Sequence, residues 1–305
     1  MTARFNSIEE KGEIAPNIRY QETPDLVQLE FDSVKPILES GFEVQEWNDI
    51  LNKQPICQAL RMGLDMAFQN LVSALEQNLP EERFGLRKAE ARSICYTIPV
   101  MDKSEIEGFI TRENLFRFSW LKIKVHKDSA FEMVNEAMKY YPGQIAIDGN
   151  ESWLDPKQVL DFTGSLPKDR ILFLEQPMPA AQKEDYIQLK GLSPIEIWAD
   201  ESVLGNADPD FWKMAFSGIN VKLMKAGSFD NAIHLLKTAR LAGLKTMVGC
   251  MVETSLGISA ALALESLANY MDLDGFLLLE NEPFHLVKEK NGVVSNCIDK
   301  TNELK

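Results

Sequence analysis

Histidine, cysteine and basic charge are all scarce in this sequence of 305 residues. Only three histidines are present, so a catalytic centre built on histidine is poorly supplied. The four cysteines show no C-x-x-C spacing, so neither a zinc cluster nor a small disulfide scaffold is indicated, and reduced thiols fit best. A formal net charge of -14 argues against a nucleic-acid-binding protein, which normally carries a basic face.

Long apolar runs are also missing. No stretch reaches the roughly 18 uninterrupted apolar residues of a membrane-spanning helix, and the opening MTARFNSIEEKGEIAPN lacks the apolar segment of an export signal. The 45% of hydrophobic residues is enough for one large core or for a barrel with a small second domain. We therefore expect a cytoplasmic protein that acts on a small molecule and binds neither nucleic acid nor membrane.

Short β-branched or apolar runs alternate with helix-like segments from residue 92 onward. Ser, Thr or Asp precedes many of the helical segments and Gly often follows them, as at helix starts and ends. Strands that alternate with helices predict a parallel sheet. Eight such units predict an α/β fold of the (β/α)₈-type TIM barrel class, although a doubly wound open sheet gives similar local signals. The eight runs are SICYTIPV, WLKIKV, QIAID, ILFLE, IEIWAD, INVKL, KTMVG and LDGFLLL.

The two ends of the chain do not follow this repeat. Residues 1–90 hold a Pro-interrupted opening and a strong helix, and we interpret them as a small, mostly helical N-terminal capping region. Residues 91–280 form the barrel domain with the active site. Residues 281–305 are a C-terminal tail in which Asn291-Gly292 is a turn signal, so we expect a hairpin that packs back on the cap.

Charged residues end five consecutive predicted strands. They are spaced 24, 27, 25 and 22 residues apart, which is one unit of the repeat each time. Taken singly, an Asp there is typical of a turn or a helix cap, and lysines on one strand face are typical of a solvated sheet. In a (β/α)₈ barrel, however, the active site lies at the carboxyl ends of the strands, so all five would converge on one mouth. The five residues are Lys124, Asp148, Glu175, Asp200 and Lys222.

Three converging carboxylates would repel one another unless a cation were bound. All-oxygen ligands suit a hard divalent ion, most plausibly Mg²⁺, and Mn²⁺ would accept the same ligands. The metal would bind a substrate carboxylate and stabilise the enolate that forms when a lysine removes an α-proton. Lys122 lies two residues before Lys124 on the same strand face, so we expect its charge to lower the pKa of Lys124.

Seven ordered motifs resemble the enolase superfamily, in particular the dipeptide epimerases of its muconate-lactonizing subgroup: LKIKV, IDGNESW, LEQP, WADESV, INVKLMKAGS, MVGCMVETSLG and MDLDGFLLL. The resemblance implies a Mg²⁺ site at Asp148, Glu175 and Asp200, with Lys124 and Lys222 as acid and base on opposite faces of the α-carbon. It further implies supporting roles, which fall to Lys122 beside the base and to Asn150 and Glu201 near the ligands. Lys225 is the weaker candidate for the second base, because Lys222 is the strand residue that matches the family's base. Strand alternation agrees in part, since residues three apart cannot share a strand face.

The resemblance also distinguishes among reactions. Asp272 and Asp274 match the Asp-x-Asp motif by which dipeptide epimerases hold the substrate's α-ammonium, and Glu253 lies in the family's ET-x-LG motif and would line the pocket. We therefore expect an isomerase that epimerises a dipeptide, Ala-Glu-like by family, through two-lysine 1,1-proton transfer. An acidic turn is the alternative interpretation of Asp272 and Asp274. Other enzymes of the superfamily, such as o-succinylbenzoate synthase or muconate cycloisomerase, and a non-catalytic barrel are the alternative functions.

The capping domain implied by the resemblance is shortened here. Its first strands and the loop that covers the active site are absent from the sequence, since GEIAP is reached by residue 12. Covering loops exclude water and complete such sites, so we expect either a longer natural chain or an incomplete cap with altered or lost activity. The sequence leaves open which dipeptide is bound and whether the protein forms a homo-oligomer.

Overall fold

Eight parallel β-strands form the centre of the larger part of the fold. The structure is a computed structural model that describes residues 1–204 and 207–297. The strands are β1 (Thr2–Phe5), β2 (Ile8–Lys11), β3 (Arg92–Ser93), β4 (Tyr96–Ile98), β5 (Trp120–Lys124), β6 (Gln144–Asp148), β7 (Ile171–Glu175), β8 (Ile197–Ala199), β9 (Gly218–Lys222), β10 (Lys245–Gly249), β11 (Tyr270–Asp272), β12 (Val287–Lys290) and β13 (Val293–Asn296).

Strands β4 to β11 form one sheet in chain order, and each is parallel to the next. The two outer strands of this sheet approach each other, and the Cys95 amide donates a hydrogen bond to the Met271 carbonyl at 3.3 Å. The sheet is therefore a nearly closed barrel. The predicted (β/α)₈-type barrel with a small N-terminal domain is confirmed.

Helices occupy most of the connections between the barrel strands. Among the described residues, none of them combines the length and the apolar character that crossing a bilayer requires. The helices are α1 (Pro24–Glu39), α2 (Trp47–Lys53), α3 (Gln58–Glu76), α4 (Pro80–Arg83), α5 (Ile106–Arg112), α6 (Ala130–Tyr140), α7 (Pro156–Gly164), α8 (Lys183–Leu192), α9 (Pro209–Ala215), α10 (Leu223–Ala226), α11 (Phe229–Leu241) and α12 (Ser255–Leu262).

Several helices begin at a residue whose side chain caps the first turn. The Thr23 hydroxyl accepts a hydrogen bond from the Leu26 amide at 3.2 Å at the start of α1. Ser228 does the same for the Asn231 amide at the start of α11. Each cap satisfies an amide that has no partner inside the helix, so the start of the helix is fixed locally.

The eighth barrel strand lies earlier than the sequence suggests. LDGFLLL was expected to be that strand, but the strand is Tyr270–Asp272 and Gly275–Leu278 is a 3₁₀ helix. Met271 pairs with Val248, so the strand ends beside β10 before the leucines begin. The chain then passes so close to Met251 that a Cβ on Gly275 would lie 2.2 Å from its carbonyl oxygen. Periodicity alone does not separate a short apolar strand from a buried helical turn.

The N-terminal and C-terminal segments pack outside the barrel. Strands β1 and β2 form an antiparallel hairpin that contacts α3, and β12 and β13 form a second hairpin whose β13 pairs with β3. The predicted turn at Asn291-Gly292 lies between β12 and β13. The domain boundaries 1–90, 91–280 and 281–305 stay predictions, and residues 298–305 of the tail lie outside the described residues.

Aromatic side chains fill the interior of the barrel away from its mouth. The Phe173 and Trp198 rings stack with centroids 4.2 Å apart, and Trp120 and Tyr270 pack edge-on around them. Gly218 leaves room for this layer, because a Cβ there would lie 2.4 Å from the Trp198 ring. The barrel therefore has an apolar floor below the charged residues that line its carboxyl end.

A buried carboxylate joins the N-terminal helices to the barrel. Asp65 of α3 is 1% exposed and accepts hydrogen bonds from Trp47 Nε1 at 2.8 Å, Gln69 Nε2 at 3.1 Å and the Phe229 amide at 2.8 Å. The last bond caps α11, a helix of the barrel, from a helix outside it. Asp65 thus orients the N-terminal region relative to the strand ends.

Replacing Asp65 should destabilise the whole chain. In Asp65→Ala the buried indole and amide donors lose their acceptor, and we expect the free energy of unfolding to fall by about 2–4 kcal/mol. Chemical denaturation measures it. Asp161 is exposed on α7, so Asp161→Ala should change stability by less than about 0.5 kcal/mol. Equal stability losses in the two variants would contradict the role of Asp65.

Candidate active site

Charged side chains meet at the carboxyl ends of β5 to β9. Lys124 pairs in register with Asp148, and Asp148 pairs with Glu175, so these three residues lie at one level of the barrel. Asp200 follows β8 directly, and Lys222 is the last residue of β9. All except Lys124 are buried, and Lys124 is partly exposed at the rim. The structure therefore brings the five predicted strand-end residues to one end of the barrel.

Lys122 lies among carboxylates on the inner face of the barrel. Its Nζ is 2.8 Å from Glu175 Oε2, 2.8 Å from Asp272 Oδ2 and 3.4 Å from Asp148 Oδ2. Burial lowers the pKa of Lys122, but attraction to Asp272, Glu175 and Asp148 outweighs burial and raises this pKa well above its ordinary value. Lys122 thus neutralises the carboxylates. Its predicted influence on Lys124 stays a prediction.

Two lysines contact Asp200. Lys222 Nζ lies 2.9 Å from Asp200 Oδ2, and Lys225 Nζ donates to Oδ1 and, at 2.6 Å, to the Asp200 carbonyl. Although burial raises the pKa of Asp200, the two ammonium groups hold it below its usual range. The same pairing raises the pKa of Lys222 against the effect of burial, whereas burial lowers the pKa of Lys225.

The prediction that strand alternation places Lys222 and Lys225 on opposite faces is wrong. The strand ends at Lys222 and α10 begins at Leu223, so Lys225 turns back toward Asp200. Residues three apart do lie on opposite faces of a strand, but they are neighbours once a helix intervenes. Both lysines therefore belong to the same cluster.

Glu175, the last residue of β7, is held in position by Asn220 of β9. It is fully buried, and its Oε1 accepts a hydrogen bond from Asn220 Nδ2 at 2.8 Å. Burial raises the pKa of Glu175 to about 7. Asn220 was not predicted from the sequence. It lies two residues before Lys222 and therefore on the same strand face.

Gln176 was also missed. Its side-chain oxygen accepts hydrogen bonds from the Asp200 amide at 2.9 Å and the Ser202 amide at 3.0 Å, and its side-chain nitrogen donates to the Tyr186 hydroxyl at 2.9 Å. Its φ of 33° is in the left-handed region, which is rare for residues other than glycine. Gln176 thus fixes the backbone at Asp200 from the neighbouring strand, a role that only the juxtaposition of β7 and β8 reveals.

The two aspartates at the end of β11 have different partners. Asp272 contacts Lys122 and also accepts a hydrogen bond from Cys95 Sγ at 3.1 Å. Asp274 accepts one from the Thr97 amide at 2.6 Å. Burial and the charge of Asp272 raise the pKa of Asp274 to about 6, whereas Lys122 outweighs burial and lowers that of Asp272. Both carboxylates lie where β11 meets β4.

The remaining predicted residues lie in the loops after the strands. Glu253 follows β10, is 2% exposed, and accepts a hydrogen bond from the Met251 amide at 2.7 Å. The Asn150 amide donates to Asp148 Oδ1 at 3.1 Å. Glu201 is 5% exposed and forms an ion pair with Arg19, a residue of the N-terminal region that carries no local sequence signal for such a role.

The chemistry of the three carboxylates fits a hard divalent cation. Asp148, Glu175 and Asp200 supply only oxygen ligands, and Glu175 Oε2 receives no hydrogen bond although Lys122 Nζ is near. As they stand, no three His, Cys, Asp or Glu side chains of the described residues are grouped closely enough to hold a metal ion. The donors are therefore suitable for Mg²⁺, while their present positions are those of carboxylates paired with lysines.

A family model described as enolase C-terminal domain-like matches residues 107–293, which include β5 to β12. The match covers more than half of the chain. The chain belongs to this family. The resemblance to the enolase superfamily and its dipeptide epimerases, which the seven motifs predicted, is confirmed.

Relatives with known names agree with this family. An L-Ala-D/L-Glu epimerase of Bacteroides thetaiotaomicron is 35% identical over 237 residues, which are 78% of this chain and 62% of that protein. The chain thus spans less than two thirds of the length of this epimerase.

Solved structures show the same fold. An enolase family member from Agrobacterium tumefaciens with homology to dipeptide epimerases, solved with sodium and L-Ala-L-Glu, has a TM-score of 0.87, 28% identity, and covers 97% of this chain and 89% of its own. A dipeptide epimerase from Methylococcus capsulatus, solved with Mg and L-Arg-D-Lys, has a TM-score of 0.84 and 25% identity over 94% of this chain and 85% of its own.

The buried Glu253 should give the stability a measurable pH dependence. Burial raises its pKa to about 7, so the folded state favours the protonated form, and stability is lost as the pH rises from the unfolded value of about 4.3 through 7. In Glu253→Gln this loss is absent. We expect the variant to gain on the order of 2 kcal/mol relative to wild type between pH 5 and pH 8.

Denaturant unfolding at both pH values, without added metal, tests this prediction. Glu39 is exposed at the end of α1, and Glu39→Gln should differ from wild type equally at both pH values. A Glu253→Gln difference that is the same at pH 5 and pH 8 would show that burial of this carboxyl does not favour its protonated form.

Proposed function

We propose that this protein is an isomerase that epimerises a dipeptide, with Mg²⁺ as cofactor and two lysines as acid and base. The observation that carries the proposal is the order of charged residues around the barrel mouth. Lys124 on β5 and Lys222 on β9 stand on either side of the strands that carry Asp148, Glu175 and Asp200. The names of the relatives supply the substrate class, of which Ala-Glu-like dipeptides are the first to test.

Lysines on both sides of a substrate suit inversion at one carbon. In this scheme one neutral lysine takes the α-proton, and the ammonium group of the other lysine returns a proton to the opposite face. One C–H bond breaks and another forms, so the charge of the substrate is unchanged at the end. Lys124 and Lys222 are assigned these roles, and Lys122 keeps the carboxylates between them neutralised.

Asp148, Glu175 and Asp200 would hold the cation. When bound, Mg²⁺ supplies Lewis-acid polarisation of the substrate carboxylate, which makes the α-proton more acidic. Asn150 and Gln176 orient two of these ligands through the hydrogen bonds at Asp148 and at the Asp200 backbone. Lys222 and Lys225 balance Asp200 when it carries no cation.

Asp272 and Asp274 would receive the α-ammonium of the dipeptide, and Glu253 would line the pocket. Two carboxylates near each other bind an ammonium group through charge-assisted hydrogen bonds. Asp274 suits this role because no lysine of the described residues forms an ion pair with it, whereas Asp272 contacts Lys122. Substrates of o-succinylbenzoate synthases and muconate cycloisomerases lack such an ammonium group.

Substituting either base should separate the two half-reactions. In Lys124→Ala we expect epimerisation to fall by about 10³-fold or more, while solvent deuterium still enters the α-position of one epimer. In Lys222→Ala the other epimer should exchange. A dipeptide library with Mg²⁺ in D₂O, followed by NMR, measures both.

Lys127 provides the control, since it lies on the same rim in an ion pair with Asp128 at 2.7 Å. Lys127→Ala should keep wild-type exchange. Exchange of the same epimer in both base variants would contradict the two-lysine mechanism. No exchange of any dipeptide by the wild-type protein would refute the epimerase assignment itself.

Asp274→Asn should weaken the binding of a free amine. The amide oxygen can still accept from the Thr97 amide, so the fold is preserved, but the charge that attracts the ammonium is lost. We expect the KM for a free dipeptide to rise about tenfold or more, with little effect on its N-acetyl derivative. An unchanged KM would instead favour a lyase or cycloisomerase of the same superfamily.

A further inference from the structure

Arg19 belongs to a segment that connects the N-terminal region to the barrel mouth. The segment begins at Glu13, whose carboxylate accepts hydrogen bonds from the Thr254 amide at 2.8 Å and the Gly257 amide at 2.8 Å at the start of α12. It ends at Glu22, which accepts one from the Ala59 amide of α3 at 3.1 Å. The backbone of Arg19 is therefore held between a barrel helix and an N-terminal helix.

The guanidinium group of Arg19 reaches two barrel loops at once. It forms an ion pair with Glu201 in the turn after β8. It also donates to the Asn150 carbonyl at 3.0 Å and lies 3.4 Å from Glu151 Oε2 in the turn after β6. A planar group with several donors can serve two turns in this way, whereas a single ammonium cannot.

Both turns follow directly after proposed metal ligands. Asn150 and Glu151 come just after Asp148, with φ values of 43° and 60°, which makes two consecutive residues in the left-handed region. Such a backbone is costly for Glu, so it needs external contacts to persist. The Arg19 bond to the Asn150 carbonyl is one such contact.

Glu201 comes just after Asp200 and is a buried carboxylate beside another. Within residues 1–204 and 207–297 its Oε2 receives no hydrogen bond, and Arg19 supplies the balancing charge through Oε1. Without Arg19 the carboxylate would be buried near Asp200 with less compensation, and the turn would have to move to bring it to water. A moved turn alters the surroundings of Asp200.

We propose that Arg19 is a positioning residue for the divalent metal site: by joining the turns after β6 and β8 it fixes the backbone from which Asp148 and Asp200 would reach Mg²⁺. This inference rests on the proposed function, because it takes these two aspartates as ligands. It adds a residue from outside the barrel to the determinants of metal affinity. Arg19 touches neither ligand side chain and acts only through the turns.

The test compares Arg19 with an arginine at a similar ion pair elsewhere. Arg92 contacts the buried Glu265 at 3.6 Å and donates to the Ala268 carbonyl at 3.1 Å, and its side chain is 32% exposed against 37% for Arg19. Arg92 precedes β4, at the opposite end of the barrel from the mouth. Arg92→Met thus removes a similar ion pair without touching either turn.

Titration calorimetry with Mg²⁺ alone gives the readout, and thermal unfolding without metal is measured in parallel. We expect both variants to lower the Tm, but only Arg19→Met to weaken Mg²⁺ binding, by about tenfold or more, as is typical when a residue that orients metal ligands is lost. Equal Mg²⁺ affinity in Arg19→Met and Arg92→Met would overturn the inference.

A second variant covers the case in which Arg19→Met does not fold. Arg19→Lys keeps a charge for Glu201 but cannot also reach the Asn150 carbonyl, so we expect affinity to fall about threefold or more. Wild-type affinity in this variant would then overturn the inference. A wild-type protein that binds no Mg²⁺ would overturn the proposed function together with it, whereas unchanged affinity in the variants would leave the proposed function standing.

Discussion

Charge balance among buried side chains is the constraint on which the rest of this structure depends. Asp148, Glu175, Asp200 and Asp272 are nearly inaccessible to water, and a carboxylate in such surroundings must be paired or protonated. Lysines from β5, β9 and α10 provide the pairing. Each lysine comes from a different element than its carboxylate partner. The order of strands around the barrel therefore determines which charged side chains can pair.

The division of the barrel into two layers follows from the same constraint. Stacked aromatic rings fill the floor of the barrel, and the charged side chains of the candidate site lie above them toward the mouth, where Lys124 is partly exposed. The N-terminal region contacts the carboxyl end of the barrel at two places. Asp65 anchors it on the start of α11, and Arg19 balances Glu201 at the mouth. The N-terminal region thus contributes to the electrostatics of the candidate site.

Features that depend on neighbouring residues in the chain were predicted well from the sequence, and features that depend on tertiary contacts were predicted poorly. The start of α11 at Ser228 was predictable, because the capping side chain and the amide it binds lie within three residues. The eighth strand was misplaced, since its pairing with β10 and the close approach of Gly275 to Met251 are tertiary facts. Lys225 was ranked below Lys222 partly because side chains alternate along a strand, and this alternation ends where α10 begins.

By itself, the sequence determined the class of fold, the family and the set of charged residues at the strand ends. Those properties depend on hydrophobic periodicity and on regular spacing, which act along the chain. Only the tertiary structure decided which charges neutralise which, that Lys122 lies among carboxylates, and that Gln176, Asn220 and Arg19 support the site. These relations join residues from different strands or from outside the barrel, and electrostatic energy depends on distance and burial, neither of which spacing along the chain specifies.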